Sequence, residues 1–224
     1  MNPLTIAIDG PAGAGKSTIA KTVANKLNLL YLDTGAMYRT CGLLCQRAGL
    51  SSGDVEQIIA LVDTANIDVR FEHGDQHVYL DEEDVSEAIR KPEISVWASD
   101  VSAIPEVRLK MVAMQRAIAA RQPLVMDGRD IGTYVLPDAE LKIFLTARPE
   151  VRARRRFAEL EAKAPGSTCY DDVLRDINYR DQQDSGRLFA PLKQAADAVL
   201  LDSSDLSIAE TVEQVLALAK GLQV

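Results

Sequence analysis

The sequence predicts an α/β fold: a five-stranded parallel sheet flanked by helices, with a small antiparallel-strand and helix region inserted into it and a helical lid. Three observations predict it. Short apolar runs rich in Val, Leu and Ile recur along the 224 residues and alternate with stretches of helical spacing, the pattern of βαβ units. Residues 67–81 break that pattern by alternating apolar with polar positions, as a half-exposed antiparallel hairpin does. Residues 148–187 are dense in arginine on either side of a Gly-Pro break, which reads as a basic helical hairpin.

The elements follow in order. The first strand, Leu4-Thr5-Ile6-Ala7-Ile8-Asp9, runs into Gly10-Pro11-Ala12-Gly13-Ala14-Gly15-Lys16-Ser17, after which Ile19, Ala20, Val23, Ala24 and Leu27 recur at helical spacing. G-x-x-x-x-G-K-[ST] between a strand and a helix is a phosphate-binding loop. Its glycines let successive N–H groups turn inward as an anion nest, and the helix N-terminus behind them favours phosphate. Lys16 brings a mobile positive charge for the β- and γ-phosphates, and the Ser17 hydroxyl is a ligand for Mg²⁺. Gly10, Pro11, Ala12, Gly13, Ala14, Gly15, Lys16, Ser17 and Thr18 are therefore the candidate ATP-binding set. The pattern is not G-x-G-x-x-G, which disfavours a dinucleotide fold.

A second buried strand over 29–33 ends at a Thr34-Gly35 turn, and a helix spans 36–48. Residues 49–54 break it, and Asp54 is placed to cap a helix over 55–65. Strands over 67–71 and 77–81, with five residues between them, form the hairpin. Pro92 marks a helix boundary, 94–103 is helical, and Pro105 opens a helix reaching Arg121. Core strands follow at 123–127, 141–146 and 198–202, and an amphipathic helix over 208–222 closes the fold. Between the last two strands one helix carries Arg148, Arg152, Arg154, Arg155 and Arg156. A break at 163–167 follows, a second helix carries Arg175 and Arg180, and Arg187 lies just beyond. The hairpin reads as a mobile lid, with Arg154 and Arg175 on its solvated face.

Composition bounds the function. The chain is 47% hydrophobic but only 5% aromatic, so the core is aliphatic. A net charge of −8 argues against a nucleic-acid-binding surface, though not against a small anionic ligand held by local arginines. Cys41, Cys45 and Cys169 form no C-x-x-C pair and read as small buried apolar residues. With His73 and His77 the only histidines, no metal cluster is expected. Met1-Asn2-Pro3 leads straight into the first strand and no apolar run has membrane-spanning length, so a soluble cytoplasmic protein is expected.

Phosphoryl transfer needs positioning and charge neutralisation more than covalent help, and the guanidinium fork matches phosphate oxygens. A phosphate loop followed far downstream by an Arg-rich helical hairpin fits a small-molecule kinase; no N-K-x-D points to a GTPase. Asp127 ends a strand just before Gly128. If that strand neighbours the first, its carboxylate lies beside the phosphate loop and holds Mg²⁺ through water. Asp127-Gly128-Arg129-Asp130 puts two carboxylates and an arginine at the carboxyl edge of the sheet, where open α/β sheets bind ligands.

Several stretches together resemble the bacterial cytidylate kinases, of the nucleoside monophosphate kinase group of P-loop kinases, over nearly the whole chain. They are the loop from Asp9 to Thr18, Leu32-Asp33-Thr34-Gly35-Ala36-Met37-Tyr38-Arg39, Ala98-Ser99-Asp100-Val101-Ser102 with Pro105 and Arg108, Asp127-Gly128-Arg129-Asp130-Ile131-Gly132, Arg180-Asp181, Asp184-Ser185-Gly186-Arg187 and Ala190-Pro191-Leu192. The resemblance implies a P-loop kinase core of 1–34, 101–147 and 184–224, a monophosphate-binding insert of 35–100 and an Arg-rich lid of 148–183. It implies that Arg39, Arg129 and Arg187 hold the acceptor monophosphate. Ser99, Arg108 and Asp130 read the cytosine edge, Thr34 places a hydroxyl near the base, and Asp184, with Arg180 nearby, contacts the ribose. Arg152, Arg155 and Arg156 belong to the lid over the donor. Lys16, Asp127, Arg129, Arg155, Arg156 and Arg180 form the implied catalytic set. The implied reaction is ATP plus CMP or dCMP, with Mg²⁺, giving ADP and CDP or dCDP on a monomer that closes by hinge motion. The alternatives are a kinase for another small acceptor such as UMP, and a non-catalytic nucleotide-binding regulator.

Overall fold

The computed structural model describes residues 3–222. The expected leaderless start at Met1-Asn2 and the outermost two residues at the other end therefore lie outside the described residues. Five strands, β1 (Thr5–Asp9), β2 (Leu30–Asp33), β6 (Leu124–Gly128), β7 (Leu141–Thr146) and β8 (Val199–Asp202), form a sheet in the order β2-β6-β1-β7-β8. The register pairs Ile8 with Ile143 and Ile143 with Val199, both in parallel. This is the expected five-stranded parallel sheet, and it makes β6 and β1 neighbours. All five residues of β1 and all five of β6 are buried, as strands covered on both faces require. β2 departs from its expected burial: only Leu32 is fully buried, because the strand lies at the edge of the sheet.

By contact the chain forms two compact units, one built from Leu30–Leu124, the other from Leu4–Leu29 and the chain from Val125 onward. In the first, α2 (Thr34–Arg47), α3 (Val55–Thr64), α4 (Pro92–Ser102) and α5 (Pro105–Ala119) accompany an antiparallel sheet of β3 (Ile67–Glu72), β4 (Asp75–Leu80) and β5 (Glu83–Asp84). Three expectations change here. Thr34-Gly35 is not a turn but the first turn of α2, because the Asp33 carboxylate accepts from Ala36 N at 3.0 Å and caps the helix. The hairpin loop is two residues rather than five: Glu72 pairs with Asp75, and His73 and Gly74 take φ of 53° and 87°, the primed turn that matches strand twist. Asp54 does precede α3, but its carboxylate accepts from Ser51 N and Oγ at 2.7 and 2.8 Å instead of capping the helix.

The other end of α3 is capped from a distance. Lys110 Nζ donates to Val62, Asp63 and Ala65 carbonyls at 2.6, 2.8 and 2.9 Å, satisfying acceptors that the helix leaves open. Lys110→Met is expected to cost roughly 1–2 kcal/mol of stability, read by chemical denaturation of both proteins. An unchanged midpoint would remove the cap from the account.

In the second unit, α1 (Lys16–Leu27), α6 (Pro149–Lys163), α7 (Tyr170–Gly186) and α8 (Ile208–Ala219) accompany β1, β7 and β8. A single π-helical turn, Ile131–Val135, follows β6. Cys41 and Cys45 are buried, and burial pushes their thiols up to about 12 and about 11. Cys169 is a correction: it is exposed, just before α7, with its thiol donating to Asp172 Oδ2. Among the described residues no helix is long and apolar enough to cross a membrane.

Candidate active site

The phosphate loop leaves β1 through Gly10, whose φ is 152° and where an added Cβ would lie 1.9 Å from the Leu145 carbonyl oxygen of β7. No larger residue fits this crossing. The loop ends at Gly15 in left-handed conformation, and α1 begins at Lys16. Lys16 is buried, with Nζ donating to Pro11 O at 2.8 Å. Burial, then the neighbouring Arg129 charge, lowers its pKa to about 7, although Asp127, Asp184 and Asp9 pull the other way. Ser17 Oγ donates to Asp127 Oδ2 at 3.0 Å.

Behind Asp127, β6 delivers Arg129, whose Nε donates to Asp184 Oδ2 at 2.6 Å. Asp184 lies on the last turns of α7, nine-tenths buried. Burial raises its pKa, but Arg129, Arg187 and Arg180 more than offset this and hold it below the usual carboxylate range. Arg187 Nη1 stands 3.7 Å from Asp184 Oδ1. Arg180 stands 3.8 Å from Asp176, and its Nε is buried without a hydrogen-bond partner. Burial, Arg129 and Arg156 all push its pKa down. Cations are therefore packed closely enough around one buried carboxylate to destabilise each other, an arrangement that calls for a polyanion.

Asp130 is buried, and its carbonyl accepts from Tyr134 N at 2.8 Å and Val135 N at 3.1 Å, starting the π turn. Asp9 holds that turn from below, its two oxygens accepting from Ile131 N at 2.8 Å and Gly132 N at 2.7 Å. Burial raises the Asp9 pKa to about 6 against these bonds.

The arginines of α6 do not behave alike. Arg152, expected in a moving lid, is buried: Nε donates to Ala147 O and Nη1 to Ala12 O, both at 2.8 Å. Arg155 points to the loop after β8, donating to Ser203 O at 2.6 Å and Leu206 O at 3.3 Å. Arg156 pairs with Glu159. Arg154 and Arg175 are exposed, the latter paired with Asp172. So Lys16, Ser17, Asp127, Arg129, Arg180, Asp184 and Arg187 form one electrostatic cluster, with Arg156 at its edge and Arg155 turned away to the β8 loop.

The remaining candidates lie in the Leu30–Leu124 unit. Arg39 Nη2 donates to Asp33 Oδ2 at 2.7 Å, so the capping carboxylate of α2 also aims this guanidinium. Thr34 is buried beside it in sequence. Arg108 is 1% exposed, donates from Nη1 to Ser102 O at 3.2 Å and lies 5.5 Å from the Tyr38 ring centroid. Ser102 Oγ in turn donates to Ser99 O at 2.9 Å. Sequence reasoning missed Asp9, Asp33 and Asp181. Asp181 shares a face of α7 with Ile177 and Asp184, and that i, i+4, i+7 spacing was a signal available to find it.

The fold and the loop define the α/β class of P-loop kinases. The chain shares that fold with a crystal structure of a gluconokinase from Sinorhizobium meliloti (TM-score 0.52, 14% identity, 99% of this chain and 96% of that one). It shares it equally with an uncharacterized protein from Eubacterium ventriosum (TM-score 0.52, 11% identity, 97% and 98%). Within that class the cytidylate kinase family model matches residues 6–221. The cytidylate kinase of Caldicellulosiruptor saccharolyticus is 51% identical over 97% of this chain and 96% of its own length. That of Lactobacillus gasseri is 49% identical over 95% and 92%. This chain belongs to the cytidylate kinase family.

Proposed function

We infer that the chain transfers the γ-phosphoryl group of ATP to CMP or dCMP, giving ADP and CDP or dCDP. The observation that carries this is the gathering of Lys16, Arg129, Arg180 and Arg187 around Asp184 next to a phosphate loop, in a member of the cytidylate kinase family. Gly10 to Thr18 bind the ATP phosphates. Lys16 neutralises charge on the transferring group, with Arg180 and Arg156 as further catalytic cations; Arg155 joins them only on leaving its contacts with Ser203 and Leu206. Arg129 and Arg187, with Arg39, hold the acceptor monophosphate. Asp184 takes the ribose, Thr34 lies near the base, and Ser99, Arg108 and Asp130 read cytosine. In this reading 1–34, 101–147 and 184–224 serve as core, 35–100 as acceptor insert and 148–183 as lid.

A hydroxyl and a carboxylate 3.0 Å apart, Ser17 and Asp127, are hard oxygen donors that suit Mg²⁺. When bound, the ion neutralises charge on the phosphate oxygens. Ser17 would ligate it and Asp127 would hold it through water, while the arginines orient the acceptor oxygen. We further infer a cytoplasmic monomer with no nucleic-acid or membrane partner, in keeping with the net charge of −8. The test is a coupled assay of ADP release with a panel of monophosphates. CMP and dCMP are expected to be phosphorylated and UMP poorly; equal rates with unrelated acceptors would overturn the reading.

A further inference from the structure

The backbone of Ala12 in the phosphate loop is gripped through both of its peptide groups by the helical hairpin. Its carbonyl accepts from Arg152 Nη1 at 2.8 Å, and its N–H donates to Asp181 Oδ1 at 3.2 Å. Arg152 Nη1 and Asp181 Oδ2 are themselves 2.7 Å apart, which closes a ring through the loop backbone. Arg152 Nε anchors the same guanidinium to Ala147 O at the end of β7. The next residue, Gly13, leaves room for this: an added Cβ would stand 3.3 Å from both Arg152 Cβ and Ile177 Cδ1. Ala153, Val173 and Ile177 pack into a buried apolar cluster that joins α6 to α7 at this level.

A phosphate loop binds anions through backbone N–H groups, so its affinity depends on how well the unbound loop holds the binding shape. We propose that Arg152 and Asp181 are positioning residues for ATP, holding the Ala12 peptide in shape, and that the base of the α6–α7 hairpin is a fixed clamp. Lid movement then belongs to the hairpin beyond this ring. A guanidinium is needed at 152 because three acceptors in different directions share one planar fork, which an ammonium on a flexible stem does not reproduce. The proposal rests on the reading of the loop as an ATP site.

The experiment uses the full-length protein with Arg152→Lys and Asp181→Asn, and Arg154→Met on the exposed face of α6 as control. KM for ATP is measured at saturating CMP and KM for CMP at saturating ATP. ATP binding without turnover is followed by calorimetry, and melting temperature alongside. Both clamp variants are expected to raise KM for ATP, about tenfold for Arg152→Lys and about threefold for Asp181→Asn, with KM for CMP within about twofold. Asp181 also faces Arg129, so agreement between the two variants is what identifies the clamp. Asp181→Asn is nearly isosteric and keeps an acceptor for Ala12 N–H, so it serves even if Arg152→Lys does not fold. A fall in melting temperature with both KM values unmoved, or raised equally, would mean an ordinary structural ion pair and overturn the proposal. Wild-type protein that takes up no ATP in the calorimeter would instead sink the ATP reading itself.

Discussion

Lys16→Ala is expected to lower turnover by about 10²–10³, roughly 3–4 kcal/mol of transition-state stabilisation, while CMP affinity stays nearly intact. The reason is geometric and electrostatic together. The ammonium is buried beside Arg129, so burial and a like charge already lower its pKa to about 7. An anion bound in the loop relieves both penalties, and a charge developing between donor and acceptor relieves them further. The interaction therefore grows along the reaction, which is what raises turnover rather than binding alone. A variant keeping more than about a tenth of wild-type turnover would remove Lys16 from this role. The pKa adds a second readout. A protein free of ATP loses the Lys16 proton as pH rises through about 7, so kcat/KM for ATP should fall above that pH. The phosphates of bound ATP hold the proton on, so kcat should stay flat over the same range. A parallel fall in kcat would point to a different titrating group.

The parts of this fold legible in the sequence are those set by local pattern. The phosphate loop, the apolar runs of β1, β6 and β7 and the alternation of β3 and β4 each carry their own signal in a few adjacent residues. What escaped was fixed by partners far along the chain. The π turn at 131–135 exists because Asp9, more than a hundred residues earlier, binds two of its N–H groups. Five arginines between 148 and 156 look equivalent in sequence, yet Arg152 finds Ala12, Arg155 finds Ser203 and Arg148 pairs with Asp205. The start of α2 is local by contrast: Asp33 is an ordinary N-cap, and it holds Thr34 and Gly35 in the first turn of the helix despite the turn-favouring glycine. The candidate site was legible residue by residue wherever a motif carried it. Its supporting carboxylates Asp9, Asp33 and Asp181 lie inside stretches already singled out, but their roles depend on the distant backbone and arginines they hold.

Base choice is expected to rest on Asp130, and Asp130→Asn should lose about a hundredfold in kcat/KM for CMP while its UMP to CMP preference rises at least about tenfold. The backbone that carries this carboxylate is fixed: its carbonyl is tied to Tyr134 and Val135, and the next two residues hang from Asp9. A carboxylate on so constrained a backbone is expected to discriminate by hydrogen-bond polarity. Cytosine presents an exocyclic amino donor with the N3 acceptor beside it, whereas uracil presents the O4 acceptor and an N3–H donor. An ionised carboxylate only accepts, so it pairs with the amino group and repels O4. Arg108 only donates, so it suits N3 or O2 of cytosine and opposes the uracil N3–H. Mispaired polar groups out of water discriminate more sharply than shape can. Asparagine keeps the size and adds a donor, which removes the repulsion of O4 and weakens the grip on the amino group. The measurement is kcat/KM for CMP and for UMP with both proteins at saturating ATP and Mg²⁺. If the ratio does not move, Asp130 does not read the base, and the cytosine assignment rests on the family alone.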